Sequence, residues 1–524
     1  MNDIISAGTG SPRRPRSRKR GILPLLGVLL VASASLVVNA AETFDIGRAS
    51  NGMRIDALLV PGAADDAPIV ALVGGLTGDD EGSSAVRAAV ERFDALPAER
   101  RGVTLLAIPV ANPAGAALAF PPTGSAYREN AEANTLWRFI GAQGPDLVLI
   151  AGDDAAGLGD ALAAEPVALV GRIPSRRWTS ADDLAALNAS SVPRSEARRE
   201  LERRRARSPR DLALELTEHY GREFDRPWYI EALALRAQLA LGRVELVRTL
   251  AEPYVSGEID SLERPSALAM AGHLIFGDLA RATGDPRYVE MVVKVADLGF
   301  DENGEMLEAM PFHGEYSDSV FMGTVSLAQA GALTGERKYF DMAVRHLEFM
   351  QDIVLRPDGL YRHQPSADAA WGRGNGFAAL GLTLVLSELP RDHPAFADVL
   401  ESYRAHMNAL LPYQNRDGLW RNVIDIPGAY PEFSGTAMIG FALQRGLLNG
   451  WLEDADAYRA AVERAWDAVK ARTGPGGTFI DVCESTARIE SVEGYLEREA
   501  ILGPDPRAGA MALIFATELM TSEP

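Results

Sequence analysis

A repeated segment in the C-terminal half of the chain most constrains its fold. Residues 279–288 read LARATGDPRY, and residues 330–339 read AGALTGERKY. The equivalent threonines, Thr283 and Thr334, lie 51 residues apart, which is about the length of one helical hairpin. In each copy a glycine is placed to end one helix, and an acidic residue follows at the start of the next. The repeat therefore predicts an array of helical hairpins.

The surrounding sequence extends this pattern from residue 211 to the C-terminus. Amphipathic segments follow one another, short Gly/Pro loops separate them, and strand signals nearly vanish. Roughly a dozen helices fit before Met520, enough for six hairpins of the repeat length. Such an array stays open or closes into a barrel of inner and outer helices, and a binding pocket at one rim favours closure.

The preceding part of the chain, residues 45–175, has the pattern of an α/β domain. Apolar runs at 69–73, 103–108 and 147–150 predict buried parallel strands, and helical segments at 85–95 and 131–140 lie between them. This alternation is typical of a doubly wound sheet. Residues 176–210 are charge-dense, and the run from Arg194 to Arg205 predicts a solvated linker helix.

Residues 1–41 have the pattern of a targeting segment. Basic residues at 13–20 precede an apolar run at 22–38, and residues 38–40, VNA, fit a signal-peptidase site. An uncleaved membrane anchor is the alternative, because the run is close to the roughly 18 residues that a spanning helix needs. Pro24 and the Ser/Ala-rich second half favour cleavage. Both interpretations predict export to the periplasm or the cell exterior.

Charge and cysteine content exclude two kinds of function. The formal charge of −20 argues against a nucleic-acid partner, because the chain has no basic domain. The single cysteine, Cys483, excludes an intrachain disulfide and a thiolate metal site.

The run WGRGNGF at 371–377 displays four ligand-binding side chains between alternating glycines. Trp371, Arg373, Asn375 and Phe377 would project from a backbone that approaches a ligand closely. Stacking combined with bidentate charge recognition suits a flat, anionic sugar. No apolar strand precedes the run, so it does not fit a dinucleotide-binding loop.

Two other stretches carry polar and aromatic side chains of the same kind. EYSDSVFM at 315–322 places Asp318 at a helix start beside Tyr316, where it could alternatively cap the helix. GLYRH at 359–363 brings His363 close in sequence to Trp371 and Arg373. Because residues 359–377 lack core patterning, we interpret them as loops that line one cleft.

Together these motifs resemble the unsaturated rhamnogalacturonyl hydrolases, glycoside hydrolase family 105, which are related to the unsaturated glucuronyl hydrolases of family 88. The resemblance covers about residues 255–522, and the matching stretches are 316–322, 359–363, 371–377, 430–438 and 494–496. It implies an (α/α)6 barrel, in agreement with the hairpin count. Asp318 falls on the family's general acid/base, and His363, Trp371 and Arg373 fall on residues that hold the unsaturated uronate.

The resemblance also implies a reaction without an enzyme nucleophile. One carboxylic acid protonates C4 of a C4=C5 vinyl ether, water adds at C5, and the hemiketal opens to expel the aglycone. The substrate is an oligosaccharide with an unsaturated uronate, and no metal or cofactor is required. We expect Tyr316, Asn375 and Phe377 to contact the sugar beside the residues already named.

Three departures from the family pattern bear on the substrate. Phe377 and Tyr316 stand where the family commonly has Trp. The stretch SALAMAGH at 266–273 lacks the family's second Asp, for which Asp260 or His273 could substitute. Glu432 and Ser434, within a matching stretch, either belong to the site or cap the following helix.

The first domain resembles the zinc carboxypeptidases of the M14 type. The matching stretches are VGGLTGDD at 73–80, IPVANPAG at 108–115 and DLVLIAG at 146–152. Thr77, Asp80 and Gly152 occupy the zinc-ligand positions, and no histidine precedes His219. The resemblance implies an inactive relative without zinc.

Two other functions remain open from the sequence. A conventional glycosidase on the same barrel would need two catalytic acids, which could come from Glu308, Glu315, Asp417 or Asp425. A glycan-binding protein without catalysis is the other alternative, because the second Asp is missing and the first domain is degenerate.

Overall fold

The computed structural model describes residues 41–78, 80–180 and 182–521, and the chain from Ala41 onward folds as one compact unit. The predicted targeting segment, residues 1–41, lies outside the described residues except for its last residue. Within the described ranges, no helix is both long and apolar enough to cross a membrane.

A six-stranded mixed sheet forms the first part of this unit. Its strands lie in the order β1-β2-β4-β3-β5-β6, with β3 to β6 parallel and β1 and β2 antiparallel to their neighbours. The strands are β1 (Glu42–Arg48), β2 (Arg54–Val60), β3 (Ile69–Val73), β4 (Thr104–Ile108), β5 (Leu147–Ala151) and β6 (Ser175–Trp178). Each apolar run of the sequence is a buried parallel strand, as predicted. The pattern did not reveal β1, β2 and β6, in which buried side chains are mixed with exposed or partly exposed ones.

Helices cover both faces of this sheet. Successive residues of an apolar strand point to opposite faces, so both faces are apolar and both need to be covered. Val70, Leu72 and Leu105 pack against α1 (Asp80–Asp94), whereas Ala71 and Leu106 pack on the other face. That second face is covered by α2 (Ala131–Gln143) and α3 (Leu158–Ala164). The sheet is therefore apolar on both sides, as a doubly wound sheet requires.

The remainder of the described chain is mostly helical. Its helices are α4 (Glu196–Arg205), α5 (Pro209–Leu216), α6 (Tyr229–Ala240), α7 (Val244–Val255), α8 (Ala267–Gly272), α9 (Leu274–Thr283), α10 (Pro286–Ala296), α11 (Ser319–Met322), α12 (Val325–Thr334), α13 (Arg337–Val354), α14 (Gly372–Glu388), α15 (Phe396–Leu410), α16 (Phe433–Leu448), α17 (Ala455–Arg472), α18 (Val492–Leu496) and α19 (Pro506–Met520). Short strands lie among them: β7 (Trp420–Arg421), β8 (Pro431–Glu432), β9 (Thr473–Gly474), β10 (Thr478–Cys483) and β11 (Ala500–Pro504).

Six of these helices form a closed inner ring. Going round it, α6, α9, α12, α14, α16 and α19 each pack on the next, and α19 packs back on α6. The helices α5, α7, α10, α13, α15 and α17 lie against the ring from outside. Each copy of the sequence repeat contains the glycine that ends an inner helix. Gly284 follows α9 and Gly335 follows α12, with left-handed φ values of 72° and 75°.

The glycine-spaced run at 371–377 is not a loop, contrary to our interpretation of the sequence. Trp371 precedes α14, and the run forms the first buried turns of that helix. A Cβ atom at Gly372 would lie 2.4 Å from the carbonyl oxygen of Arg421, and one at Gly376 would lie 3.0 Å from Cα of Gly435. These glycines therefore allow β7 and α16 to pack closely against α14. In sequence, this packing constraint resembles a ligand-binding pattern.

The charged segment predicted as a solvated linker is helical over α4, but one face of it is buried. Ala197 and Leu201 pack in the core of the sheet region, which we define as residues 42–178 and which contains β1 to β6 and α1 to α3. Arg204 is fully buried, and hydrogen bonds to Glu200 and to the carbonyl oxygens of Leu169 and Ala471 compensate for the burial of its charge. The helix thus contacts both the sheet region and the helical region.

A network of charges joins the inner helices at their C-terminal ends. Arg281 of α9 bonds Glu388 of α14 at 2.6 Å, and Glu518 of α19 receives two 2.5 Å hydrogen bonds from Arg445 of α16. Arg445 also contacts Ser387 at 3.1 Å. This end of the ring is therefore closed by ion pairs.

We expect Glu518→Ala to lower the free energy of unfolding by roughly 3 kcal/mol, because it leaves the guanidinium of Arg445 without its buried carboxylate. Chemical denaturation measures this loss. Glu453→Ala, which removes an exposed partner of Arg404, is the control and should leave the unfolding midpoint unchanged. Equal effects of the two substitutions would contradict a stabilising role for the network.

Candidate active site

The residues singled out by the sequence meet at the opposite end of the inner ring. Asp318 precedes α11, Trp371 precedes α14, and Glu432 precedes α16, so the N-terminal ends of these elements lie around one point. His363 joins them from the chain before α14, because its carbonyl accepts a hydrogen bond from the amide of Ser317 at 2.9 Å.

Asp318 presents its carboxyl to His363. Oδ2 of Asp318 lies 3.3 Å from Nε2 of His363, and the aspartate side chain is 19% exposed. The side chain makes no capping hydrogen bond to α11, and Oδ2 is buried without a hydrogen-bond partner among the described residues. The helix-capping alternative for Asp318 is therefore wrong, and the carboxyl remains available to a ligand.

The imidazole of His363 is held by aromatic neighbours on several sides. Tyr316 stacks on it at 4.9 Å between ring centroids, and the Trp371 ring lies at 4.4 Å. Tyr495, in α18, has its hydroxyl 2.7 Å from Nδ1 of His363. The ring is thus fixed with Nε2 facing Asp318.

Tyr495 is a site residue that our sequence analysis did not assign. It lies 132 residues from His363, and its only sequence signal was the matching stretch 494–496. Burial raises the pKa of Tyr495, so the hydroxyl keeps its proton at neutral pH.

We expect Tyr495→Phe to lower kcat by about tenfold while KM stays within about twofold, because His363 loses the hydroxyl that orients it. The pH profile of kcat should also change, because the imidazole of His363 loses its hydrogen bond at Nδ1. Steady-state kinetics across pH measure both effects.

The matched control for that substitution is Tyr254→Phe, which removes a buried hydroxyl bonded to the carbonyl of Phe224 at 2.8 Å. It should leave the pH profile in place. A Tyr495→Phe enzyme with the parent's kcat and pH profile would show that the hydroxyl only packs.

Arg373 lies beneath Trp371 and is almost fully buried. Its guanidinium carbon is 4.6 Å from the centroid of the Trp371 ring. Nη1 donates to the carbonyl of Cys483 at 2.5 Å and to Oγ of Ser434 at 3.4 Å, and Nη2 donates to the carbonyl of Glu484 at 2.6 Å. Three protein groups therefore fix the plane of the guanidinium.

The guanidinium of Arg373 keeps donor capacity for a ligand. Of its five N–H groups, the one on Nε and one on Nη2 have no hydrogen-bond partner among the residues that the structure describes. Burial alone would lower the pKa of Arg373, but Cys483, Glu432 and other neighbours raise it, and the net direction is upward. The group is therefore a fixed positive charge.

Other unpaired polar atoms lie near His363. Oγ of Ser317 and Nε1 of Trp371 are buried without hydrogen-bond partners in the described chain, as is Oδ2 of Asp318. A Cβ atom at Gly374 would lie 2.5 Å from Oγ of Ser317, so a side chain at this position would displace that hydroxyl. A buried unpaired polar group costs about 1–3 kcal/mol. The cluster can recover that cost by hydrogen bonding to a polar ligand or water.

Asn375 and Phe377, predicted to contact the sugar, lie behind the site instead. Nδ2 of Asn375 donates to the carbonyls of Tyr361 and Trp371, and its Oδ1 accepts from the amide of Tyr361. The ring of Phe377 packs between core rings, those of Phe321 and Tyr229. Asn375 therefore supports Trp371 and the start of α14, and Phe377 packs in the core of the ring.

Neither proposed substitute for the family's second Asp is positioned to act. Asp260 is largely exposed and pairs with Lys294 at 2.6 Å. His273 is fully buried, with its ring nitrogens bonded to the carbonyl of Ala269 and the hydroxyl of Ser261. Burial lowers the pKa of His273 to about 4, so its imidazole is neutral at neutral pH.

Glu432 acts as a helix cap. Its carboxylate accepts hydrogen bonds from the amides of Ser434 and Gly435 at the start of α16, and from the Ser434 hydroxyl at 2.7 Å. The capping interpretation of Glu432 is confirmed. Ser434 has a further role, because its Oγ receives the hydrogen bond from Arg373.

The other carboxylates considered for a two-acid mechanism have partners elsewhere. Asp425 bonds Arg356 at 2.7 Å, Asp417 accepts from Gln143 at 2.7 Å, and Glu315 lies 3.7 Å from Arg488. Glu308 is exposed.

Two solved structures share the fold. A possible member of the GH105 family from Salmonella enterica has a TM-score of 0.52 at 17% identity, covering 60% of this chain and 95% of that one. A glycosyl hydrolase of family 88 from Bacteroides vulgatus has a TM-score of 0.51 at 16% identity, covering 60% of this chain and 99% of that one. At these identities the likeness shows the fold, which is that of the helical-barrel enzymes.

The sequence profile of Glycosyl Hydrolase Family 88 matches residues 249–522, just over half of the chain. The chain belongs to this family and is a glycoside hydrolase.

Two curated relatives have named activities. An unsaturated rhamnogalacturonyl hydrolase of Bacillus subtilis, YesR, is 27% identical over 244 residues, which are 43% of this chain and 68% of that protein. An unsaturated 3S-rhamnoglycuronyl hydrolase of an Alteromonas species is 32% identical over 174 residues, which are 31% of this chain and 42% of that protein. The second match therefore spans less than half of the relative's length.

Proposed function

We propose that this protein removes Δ4,5-unsaturated uronyl residues from oligosaccharides that polysaccharide lyases release. The observation that carries the proposal is the carboxyl of Asp318, whose buried Oδ2 has no hydrogen-bond partner among the described residues and lies 3.3 Å from Nε2 of His363. The activities named for the two curated relatives support the same substrate class.

In the proposed reaction, Asp318 gives its proton to C4 of the unsaturated sugar. The C4=C5 electron pair forms the new C4–H bond, and positive charge develops at C5 and the ring oxygen. Water then adds at C5 and returns one proton to Asp318, so the carboxyl is regenerated. The hemiketal opens to a ketone at C5, and the hemiacetal at C1 releases the aglycone as an alcohol. One water is consumed in total.

The positive and aromatic side chains of the site match such a substrate. Arg373 is a buried, charged guanidinium, and two of its N–H groups have no partner in the described part of the chain, which suits the uronate carboxylate. Tyr316 supplies partly exposed aromatic surface beside His363, on which a flattened unsaturated ring can stack, and the buried Trp371 ring backs the same imidazole.

A conventional glycosidase would require a second catalytic acid, and the carboxylates considered for that role are occupied by other partners or exposed. Hydration of a vinyl ether needs only one carboxyl that first donates and then accepts a proton. The one-acid reaction therefore fits this site better than the two-acid reaction.

The test follows the ultraviolet absorbance of the C4=C5 bond in lyase-generated oligosaccharides. We expect the wild-type protein to remove this absorbance. Binding without loss of absorbance would instead indicate a glycan-binding protein. Release of a saturated reducing sugar from the intact polymer would indicate a conventional glycosidase.

We also propose that the protein is exported, on the basis of the basic and apolar pattern of residues 1–41. Cell fractionation tests the export proposal: recovery of the protein in the cytoplasmic fraction would contradict it.

The closed ring of inner helices supports an (α/α)6 barrel as the fold of the helical region. The mixed sheet supports an inactive carboxypeptidase-like domain as the fold of the sheet region.

A further inference from the structure

The sheet region contacts two elements that hold Arg373, although it lies outside the part of the chain that the family profile matches. One contact is to β10, which leads to the carbonyls of Cys483 and Glu484. The other is to Tyr430, in the segment that leads through Glu432 into α16, whose second residue is Ser434. Cys483 and Glu484 supply their carbonyls to Arg373, and α16 supplies the hydroxyl of Ser434.

The contact to β10 is a buried ion network centred on Asp481. Arg138 of α2 donates to Oδ1 of Asp481 at 2.7 Å, and the hydroxyl of Tyr127 donates to the same oxygen at 3.2 Å. Arg472 of α17 donates to Oδ2 at 2.5 Å. Asp481 is 1% exposed, so its charge depends on these partners from both regions.

The backbone of Asp481 has a left-handed conformation. It has a φ of 62°, which residues with a side chain rarely adopt, and it lies at the bulge of β10 between Ile480 and Val482. A bulge changes the direction of the strand that follows it. Here the redirected residues are Cys483 and Glu484, whose carbonyls lie 2.5 and 2.6 Å from the Arg373 guanidinium.

The second contact runs through Tyr127 and Tyr430. Their rings stack with centroids 4.6 Å apart and an interplanar angle of 7°. Glu432, two residues after Tyr430, accepts hydrogen bonds from the Ser434 hydroxyl and from the amide of Cys483. The two routes therefore meet at the groups that surround Arg373.

We propose that Tyr127 and Arg138 of the sheet region are positioning residues for Arg373, and that the sheet region sets the geometry of the carboxylate-binding site in this enzyme. The inference rests on the proposed function, in which Arg373 binds the uronate carboxylate. It gives the sheet region a role in substrate binding without any contact between that region and the substrate.

The first test is Tyr127→Phe, which keeps the ring that stacks on Tyr430 and removes the hydrogen bond to Asp481. We expect KM for an unsaturated uronyl disaccharide to rise about fivefold with kcat within about twofold, since a carboxylate contact made in both ground and transition states affects binding. The dissociation constant, measured by calorimetry in an Asp318→Asn background that prevents turnover, should rise by the same factor.

A double-mutant cycle with Arg373→Lys shows whether the effect passes through Arg373. If it does, adding Tyr127→Phe to Arg373→Lys changes the dissociation constant no further. Independent, multiplicative effects would overturn the proposal. Arg138→Met should raise KM more than Tyr127→Phe does, and if it fails to fold, the Tyr127→Phe cycle still decides the question.

The control is Tyr403→Phe, which removes a buried hydroxyl that donates to the carbonyl of Ala442 at 2.8 Å on the outside of the ring. It should leave KM and the dissociation constant unchanged. If Tyr127→Phe leaves binding unchanged while the wild type removes the C4=C5 absorbance, the positioning proposal fails and the proposed function stands. If the wild type neither binds the disaccharide nor removes its absorbance, the proposed function fails, and this inference fails with it.

Discussion

Asp318→Asn should abolish removal of the C4=C5 absorbance, with kcat lower by about 10²- to 10⁴-fold, because the amide cannot deliver a proton to C4. Substrate binding should persist, since the amide keeps nearly the volume of the carboxyl and leaves Arg373 and Trp371 in place. Stopped assays of absorbance measure kcat, and calorimetry measures binding.

The matched control is Asp341→Asn. Asp341 also faces a histidine, with its Oδ1 3.1 Å from Nε2 of His393, but this pair is formed by α13 and a loop outside the site. The control should keep the parent's kcat. An Asp318→Asn enzyme that retains more than about a tenth of the parent's kcat would exclude Asp318 as the acid, given the usual size of such effects.

Arg373→Lys should lower kcat/KM by roughly 10²-fold, mainly through KM. An ammonium cannot reproduce the planar fork that bonds Cys483, Glu484 and a carboxylate together, and losing one partner of a buried charge pair costs about 2–5 kcal/mol. Steady-state kinetics with an unsaturated disaccharide measure the change.

Comparing the acid substrate with its methyl ester tests recognition of the uronate carboxylate directly, because the comparison leaves the folding of the protein unchanged. The wild type should lose affinity for the ester by a factor similar to that of the Arg373→Lys substitution. The Arg373→Lys variant should bind the ester and the acid with nearly equal affinity. Arg459→Lys, at an exposed ion pair with Asp456, is the control and should behave as the parent does. A variant that still prefers the acid by the parent's factor would exclude Arg373 as the carboxylate contact.

Local patterns in the sequence were enough to predict much of the fold. The apolar runs gave β3, β4 and β5 because strands buried on both faces need continuous apolar side chains. The repeated glycines after Thr283 and Thr334 gave the ends of α9 and α12 because a left-handed residue ends a helix there. These features depend on neighbours in sequence, which the sequence displays directly.

The glycine run at 371–377 shows where such patterns mislead. In sequence, a glycine that allows a ligand to approach looks the same as one that allows a neighbouring helix to approach. Gly372 and Gly376 face Arg421 and Gly435, whereas Gly374 leaves space for Ser317 at the site. Only the packing of α14 against its neighbours distinguishes these roles.

Contacts between distant residues could not be predicted from the sequence. Tyr495 orients His363 across 132 residues, and Arg138 reaches Asp481 across 343 residues. The two residues of each pair do not share a motif, so no spacing in the sequence predicts either contact. The resemblance to a family supplied Asp318, His363, Trp371 and Arg373, which the structure brings together, but it did not supply their supporting residues.

The most direct test of the proposed hydration is to run the reaction in D2O and examine the product by NMR. We predict that the vinylic H4 signal of the unsaturated uronate disappears at the rate of aglycone release, and that one deuterium is found at C4 of the open-chain product. A released sugar that keeps its vinylic H4 signal and carries no deuterium at C4 would contradict hydration of the C4=C5 bond.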